Sequence, residues 1–194
     1  MNSLKTPKPL LAARMAFPLA ASLITVLLGE WIARGALTAD TVTSFIFPHA
    51  EAYLLAWLFL FLVWLLLDWI FRLPPLSTLG MAVLGCVPCA VNSYTLQLRG
   101  EPFLPWDLAQ VSEAAGVASA AGIKIQTSMI VTVVVELALM AGSFFLYRGR
   151  HKQRWLPRVA GSAATAAALC LLIFGVYLQP AVCQAVGIVA DPWM

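Results

Sequence analysis

The chain has 194 residues, of which 61% are hydrophobic and only 11% are charged. Soluble domains carry about 25% charged residues, so this composition excludes an ordinary water-soluble fold and indicates a membrane protein. The net charge of +3 is small, and we expect no nucleic-acid partner.

Five apolar runs are long enough to cross a bilayer as helices, each of which needs roughly 20 residues. They cover residues 15–35, 51–73, 76–96, 127–147 and 159–179. The first run is longer than the apolar region of a signal peptide and contains Glu30, so we interpret it as a signal anchor that is retained. The sequence therefore predicts an all-α membrane protein with five transmembrane helices.

This reading divides the chain into three parts. Residues 1–14 form a basic cytoplasmic N-terminus, and residues 15–180 form the five-helix transmembrane domain. Residues 181–194 are interpreted as the start of an extracellular linker that looks truncated.

The basic residues predict the orientation of the chain, because cytoplasmic loops of membrane proteins are enriched in Lys and Arg. With five crossings, nine basic residues fall on one side and three on the other. The nine are Lys5, Lys8, Arg14, Arg72, Arg148, Arg150, Lys152, Arg154 and Arg158, and the three are Arg34, Arg99 and Lys124. The N-terminus is therefore predicted in the cytoplasm and the C-terminus outside.

Two connections differ strongly in length. The link 71–75 is very short, which predicts that the second and third helices are antiparallel neighbours. The segment 97–126 is too long for a plain turn, and we expect it to form an extracellular loop. Within it, Pro105 and Asp107 favour the first turn of a short helix. The apolar spacing that follows predicts an amphipathic helix on the outer membrane surface.

The densest cluster of charged residues lies where the third helix leaves the membrane. The run Asn92-Ser-Tyr-Thr-Leu-Gln-Leu-Arg-Gly-Glu-Pro-Phe-Leu-Pro-Trp-Asp-Leu108 places Arg99, Glu101 and Asp107 just above the outer bilayer face. Gly100, Pro102 and Pro105 constrain the path between these charges. The cluster is suited to binding a polar headgroup; the alternative is a structural turn in which Arg99 pairs with a neighbouring carboxylate.

This run resembles a pattern in the membrane regions of lipoteichoic acid synthase-like proteins: an asparagine, then Arg-Gly-Glu-Pro, then Pro-x-Asp-Leu. The matching positions are Asn92, Arg99, Gly100, Glu101, Pro102, Pro105 and Asp107. In that family, five transmembrane helices precede an extracellular sulfatase-like domain that transfers phosphoglycerol from phosphatidylglycerol. The resemblance implies a bacterial cell-membrane protein, with this chain as the membrane part of such a transferase.

The resemblance also implies what this chain lacks. The family's nucleophilic threonine and its divalent metal belong to the extracellular catalytic domain, so we expect no catalytic residue, metal or cofactor in these 194 residues. His49 and His151 fall on opposite sides of the membrane and cannot form one metal site. The expected partners are membrane lipids, chiefly phosphatidylglycerol, and the extracellular domain. Arg99 would bind the lipid phosphate, with Asn92, Glu101 and Asp107 beside it.

Four cysteines support a second reading. Cys86 and Cys89 form a C-x-x-C sequence with Pro88 inside the third helix, which resembles the quinone-linked thiol oxidases of the disulfide-bond formation system. Working cysteines need access to the oxidising side and a stabilised thiolate, whereas these lie near mid-bilayer and Cys170 is expected to be buried in helix five. The third hypothesis is an accessory membrane protein that binds but has no chemistry of its own.

One carboxylate lies near the centre of the fourth helix. Glu136 is surrounded by apolar residues, and a charged side chain at that depth is costly unless it is protonated or partnered. We expect it to face the bundle, with Asn92 or Thr132 as its partner, and to serve either proton or substrate handling or packing.

Overall fold

The structure is a computed structural model that describes residues 8–100, 125–148 and 155–185. Every regular element in these ranges is helical. The five long helices are α1 (Lys8–Arg34), α2 (Ala50–Phe71), α3 (Pro74–Arg99), α4 (Thr127–Tyr147) and α5 (Trp155–Leu172). Short helical segments precede α2 and follow α5: Ala39–Thr41, the π-helical turns Val42–Ile46 and Ile173–Tyr177, and Pro180–Ala185.

All five long helices have the length and apolar character needed to cross a membrane. Their burial pattern supports the same conclusion. Leu171, Phe145 and Val134 are more than half exposed, whereas many buried side chains are small and polar. The buried polar set on these helices is Ser22, Thr25, Asp68, Ser77, Thr78, Ser93, Ser128, Thr132, Glu136, Ser143 and Thr165. Apolar side chains facing outward and small polar ones facing helices are expected when hydrocarbon is the solvent. The chain is therefore a multi-pass, all-α membrane protein.

Helices α1 and α3 occupy the middle of the bundle. Each packs against the other and against both α2 and α4, while α5 packs on the outer side of α2. The helices alternate in direction, so one end of the bundle contains the end of α1 and the start of α4, and the opposite end contains the start of α1 and the end of α4. We call these the Arg34 end and the Tyr147 end.

The link between α2 and α3 confirms the short connection predicted from the sequence. Arg72 ends α2 in the left-handed conformation (φ 57°) and its N–H donates to the Asp68 carbonyl at 2.9 Å. Pro74 and Pro75 then begin α3, where the missing N–H groups cost no helical hydrogen bond. The contact between α2 and α3 is therefore built directly on this two-residue turn.

Arginine side chains cap helices at the Tyr147 end. Arg14 of α1 donates to the carbonyls of Leu146 (2.9 Å) and Arg148 (3.2 Å) at the end of α4. Conversely, the Tyr147 hydroxyl donates to the Arg14 carbonyl, which has no helical donor because residue 18 is a proline. A cation at the C-terminal end of a helix also complements its dipole. These contacts join α1 to α4.

An aromatic cluster fills the interior toward this same end. The rings of Phe17, Trp64 and Tyr147 lie 5.9 to 6.3 Å apart between centroids and pack with Ala21 and Met81. The Trp64 indole N–H donates to Thr78 Oγ1 at 3.0 Å, so its polar atom is satisfied inside the bundle. The cluster therefore closes the centre of α1–α4 with bulky side chains.

The helix bounds differ from the predicted runs mainly at their ends. Helix α1 begins at Lys8 instead of near residue 15, because the residues between Pro9, in its first turn, and Pro18 contain no helix breaker. The segments Ala39–Thr41 and Val42–Ile46 were not expected from the hydropathy pattern. The predicted surface helix that starts near Pro105 lies outside the described residues.

Candidate functional site

The described residues include only part of the predicted headgroup cluster. Arg99 is the last residue of α3, and Gly100 ends the helix in the left-handed conformation (φ 72°), with its N–H donating to the Leu96 carbonyl at 3.0 Å. Asn92 is half-buried on the same helix. The remaining members, Glu101, Pro102, Pro105 and Asp107, lie outside the described ranges. The headgroup role of this cluster therefore stays a prediction.

A polar pocket of about 300 Å³ lies beside the end of α3. It is lined by Arg34 at the end of α1, by Ser93 and Gln97 on α3, and by Gln126 before α4. Ser93 Oγ accepts hydrogen bonds from Gln97 Nε2 (3.3 Å) and from Gln126 Nε2 (3.4 Å). Three helices thus bring one cation and three neutral hydrogen-bonding groups together at the Arg34 end.

The Arg34 guanidinium is held by three neighbours. It forms an ion pair with Glu30, four residues earlier on α1, a spacing that places both side chains on one face of the helix. It also lies over the Phe45 ring, with Cζ 4.0 Å from the ring centroid. Tyr53 of α2 interacts with both Glu30 and Arg34. These contacts fix the guanidinium at the wall of the polar pocket while leaving it partly exposed.

A larger groove of about 640 Å³ adjoins the ion pair. It runs between α1, α2 and α3, and the turn after α5 closes one side with Ile173 and Tyr177. Its walls are mostly apolar or small: Val26, Gly29, Ala52, Ala56, Phe59, Leu60, Leu84, Gly85 and Cys89. Glu30 and Tyr53 are its polar members. The groove and the polar pocket therefore meet at the Glu30–Arg34 pair.

Glycines make the groove possible where α1 and α3 approach each other. A Cβ atom on Gly29 would stand 3.0 Å from Cys89 Sγ, and one on Gly85 would stand 2.7 Å from Thr25 Cγ2. Larger residues at these two positions would push the helices apart. The hydropathy of α1 and α3 gave no sign of this arrangement, because hydropathy does not specify which faces of two helices meet.

Glu136 is buried between α4 and the central helices, as predicted. Its Oε1 accepts a hydrogen bond from Thr25 Oγ1 of α1 at 2.8 Å, and Cys86 Sγ of α3 lies 3.9 Å from the same oxygen. The expectation that Thr132 would be the partner is wrong, because the Thr132 hydroxyl has no hydrogen-bond partner among the described residues. Asn92, the other expected partner, lies further along α3, and the helix crossing brings Thr25 and Cys86 to the carboxyl instead.

The geometry around Glu136 fits a neutral acid. Thr25 Oγ1 lies 2.8 Å from Glu136 Oε1 and 3.0 Å from the Ala21 carbonyl, yet a hydroxyl has a single proton to donate. A carboxyl protonated at Oε2 keeps Oε1 as the acceptor, and the Thr25 proton is then shared between Oε1 and the Ala21 carbonyl. Among the described residues no basic side chain pairs with Glu136, and an unpaired charge at the bilayer centre costs roughly 2.5 kcal/mol or more.

The cysteines are arranged as packing residues. Cys86 is buried against Glu136, and Cys89 donates to the Gly85 carbonyl at 3.2 Å. The expectation that Cys170 is buried is wrong: it is exposed on the surface of α5, because α5 packs on α2 alone and leaves most of its surface outward. Within the described ranges no group of His, Cys, Asp or Glu is placed to bind a metal.

The site that sequence reasoning missed is the polar pocket itself. Arg34 was only counted among the basic residues of one side, and Ser93, Gln97 and Gln126 were not singled out. A signal was present in the four-residue spacing of Ser93 and Gln97, which places both on one face of a helix end. Comparison with known proteins gives no further guidance, since no family model, curated protein or solved structure matches this chain.

Proposed function

We propose that this chain is a lipid-binding membrane domain that holds a glycerophospholipid with its headgroup at the Arg34 end. The observation that carries the proposal is the junction of the apolar groove with the polar pocket at the Glu30–Arg34 pair. A phospholipid has the same division into an apolar chain and a charged polar head. The acyl chain would lie in the apolar groove and the headgroup in the polar pocket.

The groove suits an acyl chain. Its volume of about 640 Å³ lies within the range of about 300–1,000 Å³ typical of ligand sites. It lies between helices long enough to cross the membrane, where lipid chains are the abundant apolar molecules. Glu30 and Tyr53 set the depth at which the polar part of the ligand must begin.

The polar pocket suits a phosphate with hydroxyl groups nearby. A guanidinium presents five N–H donors in a planar fork, more than the single Glu30 carboxylate can accept. Gln97 and Gln126 offer amide groups that can bind hydroxyls on the headgroup. Arg34 is therefore the phosphate-binding residue in this proposal, and the glutamines select a hydroxylated headgroup.

The resemblance noted in the sequence supports phosphatidylglycerol as the lipid. Arg99 follows Gln97 on α3, so the family-like motif starts at the end of the bundle that contains the polar pocket. In this proposal the domain anchors an extracellular transferase and presents phosphatidylglycerol to it, and the Arg34 end faces outward. The excess of basic residues at the Tyr147 end supports that orientation.

Lipid affinity of the purified chain in nanodiscs tests the proposal. Arg34→Gln should weaken phosphatidylglycerol binding about tenfold, since a charge-assisted hydrogen bond contributes roughly 1.5 kcal/mol. Arg148→Gln is the matched control, because it removes an exposed arginine at the opposite end. Arg99→Ala tests the motif separately. Equal affinity of wild type and Arg34→Gln would exclude the pocket as the headgroup site.

A further inference from the structure

Glu136 does not line the apolar groove. One of its two carboxyl oxygens makes no hydrogen bond to the described residues. Oε1 is bound to Thr25, while Oε2 is buried and has no hydrogen-bond partner among the described residues. The Thr132 hydroxyl, one turn earlier on α4, is also buried and unpartnered there. Buried polar atoms are nearly always hydrogen-bonded to protein or water, so this pair marks a site for a small hydrogen-bonding ligand.

These two residues belong to a polar stripe on α4. Ser128, Thr132 and Glu136 recur every four residues, so they lie above one another on one face of the helix. All three are at least nine-tenths buried. The stripe begins at the polar pocket, where Ser128 Oγ donates to Gln126 Oε1 at 3.3 Å. Polar groups thus lead from the Arg34 end to Glu136.

The stripe is interrupted after Glu136. Leu139 and Met140 occupy the next turn, and Leu139 packs against the cluster that contains Phe17, Trp64 and Tyr147. Ser143, the next buried polar residue on this face, donates to the Met140 carbonyl of its own helix at 2.7 Å. Polar side chains therefore line the way to the carboxyl from the Arg34 end, whereas apolar and aromatic side chains pack next to it toward the Tyr147 end. The asymmetry distinguishes this arrangement from a continuous channel.

We propose that Glu136 is a proton-binding site that exchanges protons with the aqueous phase at the Arg34 end only. A water molecule bridging Thr132 Oγ1 and Glu136 Oε2 would carry the proton to and from the carboxyl, whose O–H bond breaks or forms at Oε2. The groups facing Glu136 are Thr25 from α1 and Cys86 from α3, the two helices that pack against α4. Among the described side chains at the entrance, the charged residues Glu30 and Arg34 are paired with each other. The proposal does not depend on lipid binding.

The test uses dicyclohexylcarbodiimide on the full chain in liposomes of uniform orientation. This apolar reagent adds a protonated carboxyl across one of its C=N bonds, and acyl migration then gives a stable N-acylurea. Since the protonated fraction of a carboxyl falls about tenfold for each pH unit above its pKa, raising the pH on the Arg34 side should slow labelling. Raising it on the Tyr147 side should not. Peptide mass spectrometry locates the adduct without any variant.

Four variants sharpen the result. Glu136→Gln should abolish the adduct, and Cys86→Ser, which removes the other titratable group in contact, should keep the pH response. Thr132→Val should slow labelling about tenfold after the Arg34 side is acidified, if a hydroxyl in the path accounts for roughly one hydrogen bond. Thr165→Val, at an equally buried threonine on α5, should leave it unchanged. The proposal would be overturned if no adduct formed at Glu136 or if the labelling rate did not depend on the pH of either side. It would also be overturned if the rate depended on the pH at the Tyr147 side.

Discussion

Gly161 of α5 lies flat against the indole of Trp69 in α2. A Cβ atom at residue 161 would stand 2.5 Å from Trp69 Cε2, a separation that real Cβ contacts do not show. A small residue at this position lets the two helices approach closely. In the described part of the chain α5 packs mainly on α2 among the long helices, so this contact helps to keep α5 docked.

Gly161→Ala should destabilise the docking of α5 by about 1–3 kcal/mol, the usual cost of an overpacked contact. Thermal unfolding of the purified chain in detergent would measure the loss. Gly175→Ala is the control, because a Cβ there meets nothing within 4 Å. Equal unfolding temperatures for the two variants would contradict the assigned contact.

Arg158→Met should also loosen α5. The Arg158 side chain donates to the carbonyls of Trp69 (2.9 Å) and Ile70 at the end of α2, where no helical N–H remains to bind them. Losing these charge-assisted bonds should cost roughly 1.5–3 kcal/mol in unfolding. Arg148→Met, at an exposed arginine of the same end, should have little effect. If Arg148→Met lowered the free energy of unfolding as much as Arg158→Met, the loss would come from the missing charge and not from the hydrogen bonds to α2.

Thr25→Val should destabilise the bundle by about 1 kcal/mol, since it keeps the shape of the side chain but removes the hydrogen bond to Glu136. Thr25→Ser keeps the hydroxyl and should recover that part of the loss. Equilibrium unfolding in mixed detergent gives both values. If Thr25→Ser were the more damaging of the two, methyl packing rather than the hydrogen bond would hold α1 to α4.

Ala56→Trp should fill the apolar groove and reduce the amount of lipid that copurifies with the chain. Ala56 lines the groove, whereas Ala138 lies on the exposed face of α4. Ala138→Trp therefore adds the same bulk without blocking the groove and should retain lipid normally. Native mass spectrometry counts the bound lipids. If both variants retained similar amounts of lipid, the copurifying lipid would not be bound in the apolar groove.

The sequence predicted the helices well because hydropathy reports directly on the cost of burying a segment in hydrocarbon. The bounds of α4 matched at both ends, and the short link at Arg72 correctly placed α2 beside α3. Those features depend on local chain properties. The burial of Glu136 followed for the same reason, since a carboxyl has no stable position facing lipid.

The sites were harder to predict because they depend on how helices rotate against each other. Thr25 and Cys86 are 111 and 50 residues from Glu136, and no spacing rule connects them. Arg34 and Gln126 meet for the same reason. The motif around Arg99 lies at the same end of α3 as the polar pocket, but the pocket itself depends on the packing of three helices.

We propose that the apolar groove between α1, α2 and α3 holds a phospholipid whose headgroup lies at Arg34. Phosphatidylglycerol with a photoactivatable acyl chain, crosslinked to the chain in a membrane, tests it most directly. We expect the adducts to concentrate on residues that line the groove, namely Ala52, Ala56, Ile173 and Tyr177. Excess unlabelled phosphatidylglycerol should remove these adducts. Adducts spread evenly over the exposed leucines and phenylalanines of α4, without competition, would contradict it.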